Sequence, residues 1–116
     1  MKTSELTGAF LDWAVAKCEG LAVSDRATKW RSENCPHLYS TDWALSGPII
    51  EDEGISVAYD VEMSQSEGCE YWATIYAIDS GEGRIYGSTP MIAAMRCYVA
   101  SKLGDTVEIP EGLQNA

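Results

Sequence analysis

The stretch "GSTPMIAAMRCYVASKLGD", residues 87–105, carries the signals for both ends of a helix. Thr89 suits the N-cap, where a hydroxyl accepts from a free N–H of the first turn. Pro90 follows at the first helical position, where a missing N–H costs nothing. Gly104 suits the stop, because glycine tolerates the backbone that ends a helix. At about 100° per residue, Ile92, Met95, Val99 and Leu103 fall on one stripe, and Arg96 lies among them. A guanidinium is almost never buried without a partner. Whatever packs on this helix must therefore supply an acid for Arg96 or a route for its head to reach water. The functional alternative places Arg96 on the floor of a pocket, gripping a phosphate or carboxylate with two prongs.

The remaining segments give that helix its partners. "TSELTGAFLDWAVAKCEGL", from residue 3, has helical spacing at Leu6, Ala9, Phe10, Trp13 and Ala14. Thr3 or Ser4 is the expected cap, Glu5 favours the first turn, and Gly20 is the expected C′ residue. Lys17 falls near the stripe's centre and in the last turn, where it can reach water or the helix carbonyls. Residues 22–41 show no period and are expected to form a long loop, a feature that is often functional. In "STDWALSGPIIEDEGI", Thr41 or Asp42 is expected to cap a short helical turn. Gly47 and Pro48 are expected to break it, with Pro48 opening another turn at its first position.

Residues 55–63, "ISVAYDVEM", alternate, with Ile55, Val57, Tyr59, Val61 and Met63 on one side. Residues 70–78, "EYWATIYAI", are apolar on both faces, which predicts a central strand. "RIYG", residues 84–87, predicts a short third strand, and the turns between make an antiparallel meander. "TVEIP" adds a short extended piece. The pattern predicts an α+β fold: two main helices packed on a three- to four-stranded antiparallel sheet. A single domain over residues 1–110 and a frayed tail over 111–116 are expected.

The chain has 116 residues, with 8 basic and 18 acidic side chains and a net charge of −10. Such an acidic body disfavours nucleic acid, which needs a basic patch, and disfavours anionic membranes. The start "MKTSELTGAF" does not read as a signal peptide, and no apolar run is long enough to span a bilayer. Cys18, Cys35, Cys69 and Cys97 are dispersed with no CxxC, which points to reduced thiols and to no metal site. A sheet with apolar residues on both faces needs its second face covered, and a homodimer or higher homo-oligomer would do so.

Three separated blocks, "KTSELTGAFLDWAVAKCEGL", "STDWALSGPII" and "STPMIAAMRCYVASKLGDTVEIP", resemble the NinX-like family of small tailed-phage proteins. The resemblance implies a phage accessory protein made in the cytoplasm of an infected bacterial host. It brings no enzymatic activity with it. Small phage proteins of that kind blunt host defence, some of them as sponges that trap a nucleotide signal.

The candidate ligand-binding residues are Arg96, Thr89, Ser88, Trp43, Asp42, Pro48, Ile49 and Lys17. Ser88 and Thr89 stand at a helix N-terminus, where free N–H groups and the dipole favour a phosphate. The stretch lacks the glycine-rich run and lysine of a P-loop. Trp43 offers a face for a flat ring, and Asp42 an acceptor for a base edge or ribose hydroxyl. Residues 51–53, "EDE", read as a solvated charge run. Cys35 and His37 in "CPH" lack an orienting partner, and the chain has neither GxSxG nor HExxH. These readings favour binding without catalysis, cofactor or metal: sequestration of a small anionic, nucleotide-like ligand, such as a host immune signal. An acidic inhibitor of a host defence or nucleic-acid-processing protein is the alternative, and a small nucleotide hydrolase the third.

Overall fold

A computed structural model describes residues 1–20, 38–60, 69–75 and 84–108. A 3-10 turn, Thr3–Glu5, precedes helix α1, Gly8–Cys18. Helix α2 is Trp43–Glu53. Strands β1 (Ile55–Tyr59), β2 (Tyr71–Ile75) and β3 (Ile85–Gly87) follow, then helix α3, Pro90–Leu103. The sheet is an antiparallel meander in the order β1-β2-β3, with Ile55 opposite Ile75 and Trp72 opposite Tyr86. This is the expected single α+β unit, with the two-faced apolar strand β2 at its centre. The expected strand ends at 61–63 and 76–78, most of the loop 22–41 with Trp30, Cys35 and His37, and the tail 111–116 lie outside the described residues.

Helix α3 organises the core. It packs on all three strands, and α1, α2 and the 3-10 turn pack on it in turn. Its Thr89 hydroxyl accepts from the Ile92 N–H at 3.1 Å, Pro90 stands in its first turn, and Gly104 ends it with φ of 87°. A helix held between a sheet and other helices is apolar around its whole girth. Met91, Ala93, Ala94, Met95, Cys97, Tyr98 and Val99 are accordingly all buried. The two helices of the expected architecture thus form successive layers: α3 covers the sheet, and α1 lies on α3. From α1, Leu11, Ala14 and Val15 enter the core, while Phe10 packs at its margin. The Ala9 side chain lies outside the described set. Tyr98 donates its hydroxyl to Glu19 Oε2 at 2.8 Å, tying α3 to the end of α1. Gly20, with φ of 78°, is the C′ residue expected there.

The first helix does not start at Thr3 or Ser4. Leu6 and Thr7 are extended, and α1 opens at Gly8. Thr3 is used elsewhere: its N–H donates to the Asp105 carbonyl at 2.8 Å and its hydroxyl to the Gly104 carbonyl at 2.7 Å. A residue that reads as the cap of α1 in fact satisfies the end of α3. Met1 and Val107 exchange two hydrogen bonds of 2.9 Å beside it, with Lys2 bridged to Thr106. Of the expected extended piece after α3, Thr106 and Val107 make this pairing, and Ile109 and Pro110 lie outside the described residues.

Pro48 does not break the second segment, which runs as one helix of 11 residues. Proline there removes only the bond to the Ala44 carbonyl. Ala44 and Pro48 are both exposed, so this turn of the helix faces solvent, where losing a donor costs least. Buried Ser46 and Ile49 hold the helix in place. Asp42 caps it, its Oδ1 accepting from Ala44 N–H at 2.9 Å, and Gly54, with φ of 65°, ends it.

Two residues make the packing sensitive to small changes. Gly87 joins β3 to α3 at close range: a Cβ there would stand 2.6 Å from the Ala93 nitrogen and 3.0 Å from Ile92 Cγ2. Gly87→Ala must push α3 off the sheet and is expected to cost about 1–3 kcal/mol in urea unfolding. Asp12 is 4% exposed and accepts from Ser40 N–H at 2.7 Å. Burial raises its carboxyl pKa above the ordinary 3.8, against the opposing bonds from Ser40. Between 3.8 and the raised value the folded state binds more protons than the unfolded, so this group's contribution weakens as pH rises. Asp12→Asn keeps the acceptor and does not titrate. Its stability relative to the wild type, measured by urea unfolding at a series of pH values, is expected to increase from acid to neutral pH.

Candidate functional site

The candidate site is built where β3, the 3-10 turn and α3 meet. Only two exposed residues, Ser88 and Thr89, separate β3 from α3, so the helix folds straight back along the strand. Arg96, near the middle of α3, thereby faces the outer edge of β3 on one side and the segment before α1 on the other. Its Nε donates to the Leu6 carbonyl at 2.8 Å and its Nη1 to the Tyr86 carbonyl at 2.7 Å. Both acceptors lie outside regular ladders: Leu6 interrupts two helical turns, and the Tyr86 carbonyl points away from β2 on the edge strand. Arg96 is 8% exposed. Among the described residues those carbonyls are its hydrogen-bond partners, and no carboxylate comes within ion-pair distance. Burial pulls the guanidinium's pKa below its ordinary value, and the neighbouring Cys69 partly opposes this.

The same guanidinium forms part of the wall of a cleft of about 330 Å³, together with Arg84, Ser4, Cys69, Ile85 and Tyr86. That size suits a small molecule. Arg84 is exposed, yet its Cζ stands 4.4 Å from the ring centroid of Trp72, the cross-strand partner of Tyr86. A guanidinium stacked on an indole is held ready for a planar or tetrahedral anion. Two of the chain's 8 basic residues thus line one hollow, and no carboxylate stands among its described wall residues. Cys18 and Cys97 do not line the cleft, and burial pushes both of their thiols up to about 11.

The other expected site residues are placed apart from this cleft. Thr89 is engaged as the cap of α3, and Ser88 is exposed beside it. Asp42 caps α2, Trp43 is 55% exposed on that helix, Pro48 is exposed, and Ile49 is a core residue at 4%. Lys17 is exposed, its Nζ 5.3 Å from the Trp13 ring centroid. None of them lines the hollow around Arg96. Arg84 was legible only as part of a strand. The available signal was the short connection after "RIYG", which returns the next helix along that strand and brings a basic strand residue toward Arg96.

Comparison with known families identifies the chain. The family described as Bacteriophage P22, NinX matches residues 2–102. The chain belongs to that family. No curated protein matches it significantly. The NinX match spans the 3-10 turn, β3 and nearly all of α3, so every element of the cleft lies within the family region. Among the described residues no helix of this NinX-family protein is long and apolar enough to cross a membrane, and no cluster of metal-ligating side chains is present.

The two arginines differ in what they hold. Arg96→Met strands the Leu6 and Tyr86 carbonyls and is expected to lower stability by about 3 kcal/mol, with Arg96→Lys recovering part of it. Arg84→Gln removes only an exposed cation–π contact and is expected to cost less than about 1 kcal/mol. Urea unfolding of the three variants checks both values.

Proposed function

We propose that this phage protein is a binding module that sequesters a small phosphate-bearing ligand in the Arg84–Arg96 cleft without transforming it. The observation that carries this reading is that Arg84 and Arg96 line one hollow in which no carboxylate stands among the described wall residues, on a chain of net charge −10. Among the described residues Arg96 is buried against carbonyl dipoles, so an anion in the cleft supplies the countercharge that the described wall lacks. The described wall residues offer guanidinium and hydroxyl donors, which suit a phosphate, and include no carboxylate to act as a base.

A nucleotide-derived host signal, met in the cytoplasm of the infected cell, is the ligand class that best joins this chemistry to a phage accessory role. The acidic-inhibitor reading draws on net charge alone and gives the cleft no part. Inorganic phosphate, pyrophosphate and AMP are the probes. Each that binds is expected to raise the melting temperature, with about 2.7 kcal/mol gained at a hundredfold excess over its Kd. Arg84→Gln is expected to weaken that binding at least tenfold, as titration calorimetry would show, while the ligand-free protein melts almost as the wild type does. Native mass spectrometry of protein from infected cells should find a phosphate compound that is released intact on heating. Silence of all three probes at low salt overturns the reading, and release of a hydrolysed product overturns the absence of turnover.

A further inference from the structure

The cleft does not end at Arg96. A second hollow, of about 200 Å³, adjoins it, and Ser4 and Ile85 line both. The two are neighbours beside β3, and we treat them as one groove. Their chemistry differs. The first wall has two arginines and, among the described residues, no acid. The second has Asp105, Thr106, Ser4 and Lys2, all exposed at its rim. The Asp105 carboxylate accepts from hydroxyl groups, and Lys2 in the same wall offsets its charge.

The second hollow is also held in shape. Asp105 is fixed through its carbonyl, which takes the Thr3 N–H at 2.8 Å. Thr106 is fixed by its bridge to Lys2. The Thr3 hydroxyl is engaged by the Gly104 carbonyl at 2.7 Å, which keeps the floor in place. The backbone that carries these rim residues is therefore held in place, beside an apolar surface supplied by Ile85 and Ala100. A sugar ring presents that combination in complement, with hydroxyls around its edge and C–H groups on its face.

We propose that the groove takes one phosphorylated sugar: the phosphate lies between Arg84 and Arg96, the ring over Ile85, and the sugar hydroxyls against Asp105, Thr106 and Ser4. This rests on the anion-binding reading above and deepens it, because it fixes both the polarity of the ligand and the part of it that is recognised. The ligand is a ribose phosphate or a nucleotide carrying one. A longer nucleic acid strand would run out of the groove onto an acidic surface.

The test compares inorganic phosphate, ribose 5-phosphate, unphosphorylated ribose and a 5′-phosphorylated ribohexanucleotide by titration calorimetry on the full chain. Ribose 5-phosphate is expected to bind about tenfold tighter than phosphate, the worth of one or two well-made hydrogen bonds. Ribose alone is expected to bind far more weakly than either. Asp105→Asn and Thr106→Val, both at exposed positions, are expected to remove the tenfold gain and leave phosphate affinity unchanged. Their melting curves show that they fold. Equal affinity for phosphate and ribose 5-phosphate overturns the sugar subsite while the anion site stands, as does a gain that survives both substitutions. Tighter binding of the hexanucleotide overturns the assignment to a small molecule. If phosphate and ribose 5-phosphate both fail to bind, the anion site falls and the sugar subsite falls with it.

Discussion

Arg96 is the constraint around which the structure is arranged. A charged side chain in the buried middle of a helix must be matched, and here the match comes from main-chain carbonyls. The two acceptors, Leu6 and Tyr86, belong to segments far apart in sequence, at 90 and 10 residues from Arg96. Each lies where the chain leaves a regular ladder and has a carbonyl to spare. One guanidinium thus joins the segment before α1, the edge of the sheet and the central helix. An ion pair would neutralise Arg96 and leave those carbonyls to find other donors. The carbonyl arrangement satisfies the backbone and keeps the positive charge.

The position of α3 follows from the same logic of packing. A helix covered by a sheet on one side and by α1 on the other has no solvent face over most of its length. Small residues at Ala93, Ala94 and Gly87 let neighbouring backbones approach, and the close contact at Gly87 sets the distance between strand and helix. The helix ends are then tied by polar contacts. Thr89 caps one end, the Thr3 hydroxyl takes the Gly104 carbonyl at the other, and Lys102 meets Glu53 of α2 at 3.5 Å on the surface.

What was legible in the sequence depended on how local its cause was. Thr89, Pro90 and Gly104 act within a turn of their own positions, and the bounds they imply for α3 hold. The alternation of β1 and the two-faced apolar character of β2 gave the meander and its central strand. Thr3 reads as a cap for the helix that follows it, but its partners, Gly104 and Asp105, are more than 100 residues away. Local rules do not reach that far. Pro48 reads as a breaker because propensity describes an isolated helix, whereas buried Ser46 and Ile49 hold α2 through it. At the site, Arg96 stood out because it broke an apolar stripe. Arg84 broke no pattern, and its partner Trp72 emerges only once the register of β2 and β3 is fixed.

The acidic net charge and the basic cleft act on different length scales. Screening in the cell limits the reach of a charge to roughly 8 Å. An anion small enough to enter the groove lies within that distance of Arg84 and Arg96, while the more remote carboxylates are largely screened. A polyanion longer than the groove places its other phosphates over the acidic exterior and gathers repulsion with each added charge. Acidity outside the cleft is thus compatible with the anion binding proposed above. On that proposal, two arginines set in an acidic protein would select for a small phosphate compound against DNA and RNA, by charge distribution and without a contact to any base.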